Sequence, residues 1–523
     1  MFSSHTNVNI LTSLLAAHGI RHAVVCPGSR NAPIVHNLNE CSSIACHPVT
    51  DERSAGFYAL GMAQATDSAV AVCVTSGTAL LNLAPAVAEA YYQQRRIIVV
   101  SADRPQAWID QLDGQTLPQH DALGRFVRKA VTLPEPHDDV ERWHCNRLVN
   151  EALTTPDGPV HINVPISEPL FTFSCQQLPH ERLIVRKSAQ LPAQYEQEIV
   201  ERFFSARRPL LICGQPLNPH LDEVAAKAMG HADLLPDFIL YTGESIVSKR
   251  LKQFLRKAVD AETWAVNADG AITDTFFSLT RVYQGQAQDV VMAIRKRQEQ
   301  APHPFVQRWQ QLADQAEHHS QQFVPPFSQM SVVKAFEQWR ASASRHQAVA
   351  VHYANSMPIR LANIYAHAPV WCNRGVNGIE GSLSTACGFA SATSAVVCCI
   401  IGDLSFFYDQ NALWNQQLPR NLRILLLNNG GGAIFSQLPG LEQSPARHRL
   451  VAACHHTHAR GICEQNGVDY AHADSPTSVE QGLHWLCGDS SDDCHAARLL
   501  EVFTDAETDM KAFAHYVDSF QID

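Results

Sequence analysis

No C-x-x-C pair occurs among the 15 cysteines of this 523-residue chain, and no two-pair spacing of the kind that holds zinc. With the odd count, this argues against a disulfide framework or a structural zinc module. Cys73, Cys398 and Cys399 lie in apolar runs and read as core. Neither Lys nor Arg precedes Arg21, and no apolar stretch approaches the ~20 residues a bilayer-spanning helix needs. The expectation is a cytoplasmic protein with no membrane partner. Positive charge is short as well: the net charge of −11 speaks against nucleic acid and anionic lipid, but leaves room for small anions held by a local cluster of Arg and Lys. Low-complexity segments and short-period repeats are absent. What is present, 46% hydrophobic and 17% charged residues, is the composition of a soluble globular protein too long for one core, so three domains of ordinary size are expected. The His455-His456-Thr457-His458 cluster follows a loop-like segment and reads as solvated surface rather than a metal site.

Apolar and polar stretches alternate from the start of the chain. Val8, Leu11, Leu14 and Leu15 recur at helical spacing and Gly19 is a helix stop. A strand over 22–26 breaks at Pro27-Gly28-Ser29-Arg30, and Thr50-Asp51-Glu52-Arg53 opens a helix rich in small residues over 54–65. Strands follow over 69–75 and 97–100, with a helix running to Tyr92 between them, and Val160 to Val164 reads as the last strand of the unit. This is the alternation of a doubly wound parallel sheet. The polar stretch 176–197 reads as a linker. A middle segment has a strand signal at Leu210 to Cys213 and one candidate motif, Ser248-Lys249-Arg250, and Pro325-Pro326 marks the next boundary. The expected division is 1–178, 179–324 and 325–523.

The most informative stretch runs from Ala395 to Phe435. An apolar run ends in Gly402-Asp403; a polar, Asn-bearing stretch follows; a second apolar run, Ile424 to Leu427, ends in Asn428-Asn429 and three glycines. Two parallel strands buried on both faces read this way, with acid and amide at their C-terminal ends, where open α/β sheets bind ligands. A carboxylate, an amide oxygen and a glycine carbonyl form a hard oxygen set suited to Mg²⁺, and glycines let the backbone approach a diphosphate. Taken singly, Gly-Asp and Asn-Asn-Gly are also ordinary turns after strands. The pair standing 26 positions apart, with strand, helix and strand implied between, favours the ligand site.

Gly402-Asp403 followed by Asn428-Asn429 resembles the metal and diphosphate motif of thiamine diphosphate (ThDP) enzymes. Leu404 stands where most of that family has Gly, and Gly-Asp-Leu-Ser with Asn-Asn-x-Gly-Gly-x-Ile-Phe is similar to the branch that serves menaquinone biosynthesis. The resemblance implies three doubly wound, mainly parallel α/β domains: pyrimidine-binding, central and diphosphate-binding. It implies ThDP with Mg²⁺, or Mn²⁺, and a metal held by Asp403, Asn429 and Gly431. Gly402, Leu404, Ser405, Ile434 and Phe435 would complete the cofactor contacts, and Ile379 would prop the cofactor in its bent form. Glu52 matches the carboxylic acid beside the aminopyrimidine N1′, although alone it is also a first-turn Glu favoured by the helix dipole. The cofactor would lie between two subunits, hence a homodimer or homotetramer.

The same resemblance implies that the C2 ylide attacks 2-oxoglutarate, CO₂ leaves, and the carbanion adds to isochorismate. Ser356, Arg360 and Arg374, in Ser356-Met357-Pro358-Ile359-Arg360 and Asn373-Arg374-Gly375, match substrate residues. So do Ser29 and Arg30, Arg104 in Asp103-Arg104-Pro105, Gln115, and the Lys249-Arg250 pair. Singly, such basic residues are more often solvated surface charges; gathered at strand ends they suit carboxylates, where Arg forks bind in a bidentate manner. Two alternatives stay open: another ThDP enzyme such as an acetolactate synthase or a 2-oxoacid decarboxylase, and a catalytically silent scaffold on the same fold.

Overall fold

The computed structural model describes residues 1–186, 191–214, 217, 219–243, 245–343, 348–437, 440–488 and 495–522. Three sheets carry the architecture, and every ladder between their strands is parallel. The first holds β1 (His22–Val25), β2 (Ala45–Pro48), β3 (Val70–Val74), β4 (Ile97–Asp103), β5 (Lys129–Thr132) and β6 (Val160–Pro165), in the order β2-β1-β3-β4-β6-β5. The second holds β7 (Pro209–Gly214), β8 (Phe238–Gly243), β9 (Glu262–Asn267) and β10 (Leu279–Gln284), in the order β10-β9-β8-β7. The third holds β11 (Val349–Tyr353), β12 (Val396–Gly402), β13 (Leu422–Asn428), β14 (Asp469–Ala473) and β15 (Arg498–Phe503), in the order β11-β12-β13-β15-β14.

The central strands are unbroken apolar runs because both faces are covered. In β3, Val70, Val72 and Val74 enter one core cluster while Ala71 and Cys73 enter the one on the opposite face. All seven residues of β13 are buried. Val160–Pro165 is the last strand of this sheet along the chain, as read, but not its edge: β5, half-buried and without an apolar run, pairs outside it. The helix expected to reach Tyr92 is two helices, Thr78–Asn82 and Ala84–Tyr92, the second with Pro85 in its first turn. Of the polar stretch 176–197, residues 187–190 lie outside the described residues. The part before them is docked rather than free: Glu181 accepts from Arg142 and from Asn146, and the Ile184 N–H donates to Asn150 Oδ1. The part after them already belongs to the helix Ala193–Ser205.

The small residues noted after Glu52 have a packing reason. Helix Glu52–Thr66 lies against helix Ser382–Ser391 of the third unit so closely that a Cβ on Gly61 would fall 1.9 Å from the Thr385 carbonyl, and one on Gly388 1.9 Å from the Tyr58 carbonyl. The first and third sheets therefore share one continuous core, running from Val24 and Val72 through Phe57 and Leu383 to Val397 and Leu422. That contact sets where Glu52 stands relative to Asp403.

Candidate active site

In the third sheet β12 and β13 are neighbours, with Gly402 opposite Leu427. Asp403 and Asn429 thus leave the sheet side by side despite their distance in sequence. Asp403 is buried; its Oδ1 accepts the Leu404 N–H at 2.7 Å, and its Oδ2 accepts those of Asn429 at 3.2 Å and Gly431 at 2.9 Å. Burial pushes its carboxyl above the usual range, against the pull of these donors and of nearby His455. Asn429 Nδ2 donates to Asp509 Oδ2 at 2.8 Å, which leaves the amide oxygen for another partner. Gly430 and Gly431 have φ of +79° and +149°, and a Cβ on Gly431 would meet the Ala452 carbonyl at 2.9 Å, so only glycine fits this loop. A cavity of about 480 Å³ borders the run from Asn429 to Ala433, with Arg447 and Lys511 on its wall.

Among the described residues no three His, Cys, Asp or Glu converge as a metal cluster. A cation at this edge would have the Asp403 carboxylate, the Asn429 amide oxygen and the Gly431 carbonyl, all hard oxygens with one negative charge. It would complete its shell from phosphate and water, the habit of Mg²⁺. The residues present therefore fit a metal–diphosphate group. Close by, Ser405 Oγ donates to the Ile379 carbonyl, Ile379 keeps an exposed side chain, and the half-buried Ile434 and Phe435 sit in the turn Ala433–Gln437.

The reading of His455 as solvated surface does not hold. His456 and His458 are exposed, but His455 is mostly buried, with Nε2 3.4 Å from Asp403 Oδ2. The sequence hid this because the chain returns from residue 437 to lie across the glycine run, with the Gly432 N–H donating to the Ala452 carbonyl at 2.7 Å.

A cationic cluster lies where the second and third units meet. Ser356, in a left-handed conformation (φ 74°), precedes the helix Met357–Tyr365 that carries Arg360. Arg360 donates to none of the described residues; burial pushes its guanidinium down, and Asp222, Arg250 and Arg374 lie within electrostatic reach. Arg374 donates to Asn355 Oδ1 at 3.1 Å, while Asn355 Nδ2 ties down the carbonyls of Asn373 and Gly378, each at 2.7 Å. Arg250 is spent on Asp222 at 2.6 Å, beside Ser248. Lys252, one turn beyond Lys249 on the helix Lys249–Leu255, joins the cluster: burial lowers its ammonium, helped by Arg374, Arg256 and Lys249. Sequence reasoning passed over Lys252, although its spacing of three from Lys249 puts both on one helix face.

At the first sheet, Ser29 and Arg30 follow β1 in a loop where a Cβ on Gly28 would strike Thr75 at 2.4 Å. Arg30 is buried, donating to the Ile166 carbonyl at 2.9 Å and pairing with Glu168 at 3.0 Å. Arg104 Nε donates to the Gly114 carbonyl at 3.2 Å, and Gln115 is exposed with φ of 58°. Two residues missed in the sequence hold these loops. Gln119 accepts the Gly77 N–H at 2.7 Å and donates to the Ala102 carbonyl at 3.0 Å. Glu89, buried in Ala84–Tyr92, accepts the N–H groups of Gly375 and Val376 at 2.6 and 2.7 Å and so fixes the loop between Arg374 and Ile379. A carboxylate inside an apolar helical stretch was the available signal for Glu89, since a buried charge needs partners; nothing marks Gln119.

Glu52 begins its helix, with Asp51 capping it through the Ser54 N–H. Asp51 accepts from Asn411 at 2.7 Å and Arg53 donates to the Tyr408 carbonyl at 2.9 Å, Tyr408 ending the helix Asp403–Tyr408 of the same chain and Asn411 lying just beyond it. Among the described residues the Glu52 carboxylate itself accepts one hydrogen bond, from Asn82 Nδ2 at 3.4 Å. Leu81, next to Asn82 in the chain, and Tyr408, bonded to Arg53, are 42% and 52% exposed. Among the described residues no hydrogen bond or ion pair joins Glu52, Ser29, Arg30, Arg104 or Gln115 to the Asp403 edge or the Arg360 cluster.

Residues 5–124 match the family model described as thiamine pyrophosphate enzyme, N-terminal TPP binding domain. The chain is similar over nearly its whole length to proteins named 2-succinyl-5-enolpyruvyl-6-hydroxy-3-cyclohexene-1-carboxylate synthase. It is 40% identical to that of Phocaeicola vulgatus, across 99% of this chain and 98% of the relative, and 39% identical to that of Bacteroides thetaiotaomicron, across 99% of each. The fold is also that of benzoylformate decarboxylase from Polynucleobacter necessarius, with a TM-score of 0.70 over 97% of this chain and 99% of the other, at 15% identity.

Proposed function

This chain belongs to the family of 2-succinyl-5-enolpyruvyl-6-hydroxy-3-cyclohexene-1-carboxylate synthases, thiamine diphosphate-dependent transferases of menaquinone biosynthesis, and we propose how its residues divide the work. The reaction releases CO₂ from 2-oxoglutarate and joins the remaining succinyl unit to isochorismate by conjugate addition. When bound, ThDP supplies the electron sink for breaking the bond to CO₂. Asp403, Asn429 and the Gly431 carbonyl hold Mg²⁺ or Mn²⁺ against the diphosphate. Gly402, Leu404, Ser405, Ile434 and Phe435 line that site, and Ile379 supports the cofactor from the loop that Glu89 and Ser405 hold. Glu52 holds the proton at the pyrimidine nitrogen.

Ser356, Arg360 and Arg374 take the carboxylates of 2-oxoglutarate. Ser29, Arg30, Arg104 and Gln115, with Lys249 and the guanidinium nitrogens that Arg250 does not spend on Asp222, face isochorismate. Glu52 and Asp403 act across two copies of the chain in a homodimer or a homotetramer. Supporting this, Asp51 and Arg53 on either side of Glu52 are tied to their own chain, whereas among the described residues the Glu52 carboxylate has only the long bond from Asn82. The division 1–178, 179–324 and 325–523 is supported by each sheet falling within one segment. No helix among the described residues is long and apolar enough to cross a membrane; with the absence of a basic surplus, this supports a cytoplasmic enzyme with small-molecule substrates and no nucleic acid or membrane partner.

The observation that carries the reading is the ladder between β12 and β13, which sets Asp403 beside Asn429 and Gly431. The test is CO₂ release from 2-oxoglutarate with ThDP and Mg²⁺, with and without isochorismate. One CO₂ released per adduct, with release accelerated by isochorismate, is expected. Release indifferent to isochorismate would favour a simple decarboxylase, and no release would favour a silent scaffold.

A further inference from the structure

His455 stands beside the acid of the metal–diphosphate edge and has been given no task there. Its backbone N–H donates to the Gly430 carbonyl at 2.9 Å, which pins the residue over the glycine run. The ring is held from two sides: the Thr457 N–H donates to Nδ1 at 3.0 Å, and Phe407 meets it edge-on with centroids 5.3 Å apart. A backbone N–H can only donate, so Nδ1 is the accepting nitrogen and Nε2 of the neutral ring carries the hydrogen. Nε2 is buried with no hydrogen-bond partner; Asp403 Oδ2 is 3.4 Å away but outside hydrogen-bonding geometry. The other donors gathered on the Asp403 carboxylate are backbone N–H groups of Leu404, Asn429 and Gly431. A ring fixed this firmly, with a buried donor left open beside an anion-binding loop, is built for an acceptor that arrives with a ligand.

We propose that His455 is a positioning residue of the cofactor site, its Nε2–H serving as the side-chain donor to an anionic oxygen of the diphosphate at the Asp403–Gly431 edge. The inference rests on the reading of that edge as the diphosphate site. His455→Phe keeps a ring against Phe407 and removes the donor, whereas His455→Gln places an amide N–H within the reach of Nε2. ThDP is titrated calorimetrically into each apoprotein at saturating Mg²⁺, with melting curves of the apoproteins recorded alongside. Losing one hydrogen bond to a charged group, the Phe variant is expected to bind about 10- to 100-fold more weakly. The Gln variant recovers most of that loss, and the KM for 2-oxoglutarate at saturating cofactor is unchanged. A Phe variant that binds as tightly as wild type overturns the inference alone. Equal loss in both variants, or loss that tracks a lowered melting temperature, also overturns it by assigning the ring to packing. Wild type that binds no ThDP overturns the reading of the site itself, and this inference with it.

Discussion

At the C-terminal edge of the third sheet the acid is held and an arginine is left open, whereas at the edge of the first sheet the arginine is held and the acid is nearly bare. Asp403 takes three backbone N–H groups from its own chain, while Arg360, in the same unit, donates to none of the described residues. Arg30 is tied to Ile166 and Glu168, while Glu52 has one long contact to Asn82. Groups fixed by their own chain are preorganised and lose little freedom when a ligand arrives. In the reading proposed above, groups left bare would be completed by something else: a substrate carboxylate for Arg360, a cofactor presented by a second copy of the chain for Glu52. In that reading neither edge is a whole site, in keeping with the lack, among the described residues, of any hydrogen bond or ion pair from Glu52 or Arg30 to Asp403 or Arg360.

The comparison breaks first at Glu52. Glu52→Gln keeps the shape and the Asn82 contact but removes the acid, so hydrogen–deuterium exchange at C2 of bound ThDP, followed by NMR, is expected to slow by about 10²–10⁴-fold. ThDP still binds, because the diphosphate edge is untouched; exchange at the wild-type rate would remove Glu52 from the chemistry. Asp403→Ala attacks the held group instead. The N–H groups of Asn429 and Gly431 lose their acceptor and the metal loses its one charged ligand, so affinity for ThDP with Mg²⁺, read by calorimetry, is expected to fall at least about 100-fold, beyond the 10–100-fold typical of outer-shell metal contacts. An unchanged affinity would place the metal elsewhere.

The two edges were also unequally legible in the sequence. Strong apolar runs ending in Gly-Asp and Asn-Asn exposed β12 and β13, and with them the placing of Asp403 beside Asn429, because a strand buried on both faces has no polar alternation to obscure it. In the first unit β1, β3, β4 and β6 were legible for the same reason, but β5 was not, being a half-buried edge strand. The second sheet was legible only at β7: β10 has a single buried residue, Tyr283, and lacks a run that announces burial. Residues that act by folding a loop back were hidden altogether. His455 reached the Asp403 edge through a return of the chain, and Gln119 reached the Gly77 N–H through the loop after β4, neither of which leaves a periodic trace. Lys252 was legible by helical spacing and was overlooked beside the more conspicuous Lys249-Arg250 pair.

The smallest expected effects divide the two edges by substrate. Arg360 and Arg104 belong to different sheets, and among the described residues no hydrogen bond or ion pair couples them, so their substitutions should not report on each other. Arg360 stands in a half-buried cationic cluster with Arg374 and, among the described residues, donates no hydrogen bond although Asp222 lies within electrostatic reach, so its fork is available to a carboxylate; Arg104 spends Nε on the Gly114 carbonyl but keeps its remaining donors. A hydrogen bond to a charged group contributes roughly 1.5–3 kcal/mol, or about 10- to 100-fold in binding. Arg360→Ala is therefore expected to raise the KM for 2-oxoglutarate by about that factor and leave isochorismate nearly untouched, with Arg104→Ala doing the reverse. Steady-state kinetics with each substrate varied at saturation of the other checks both. Parallel shifts in the two KM values would mean that the cationic groups form one undivided pocket in the assembled enzyme, and the contrast between the two edges would then hold for the single chain but not for its substrates.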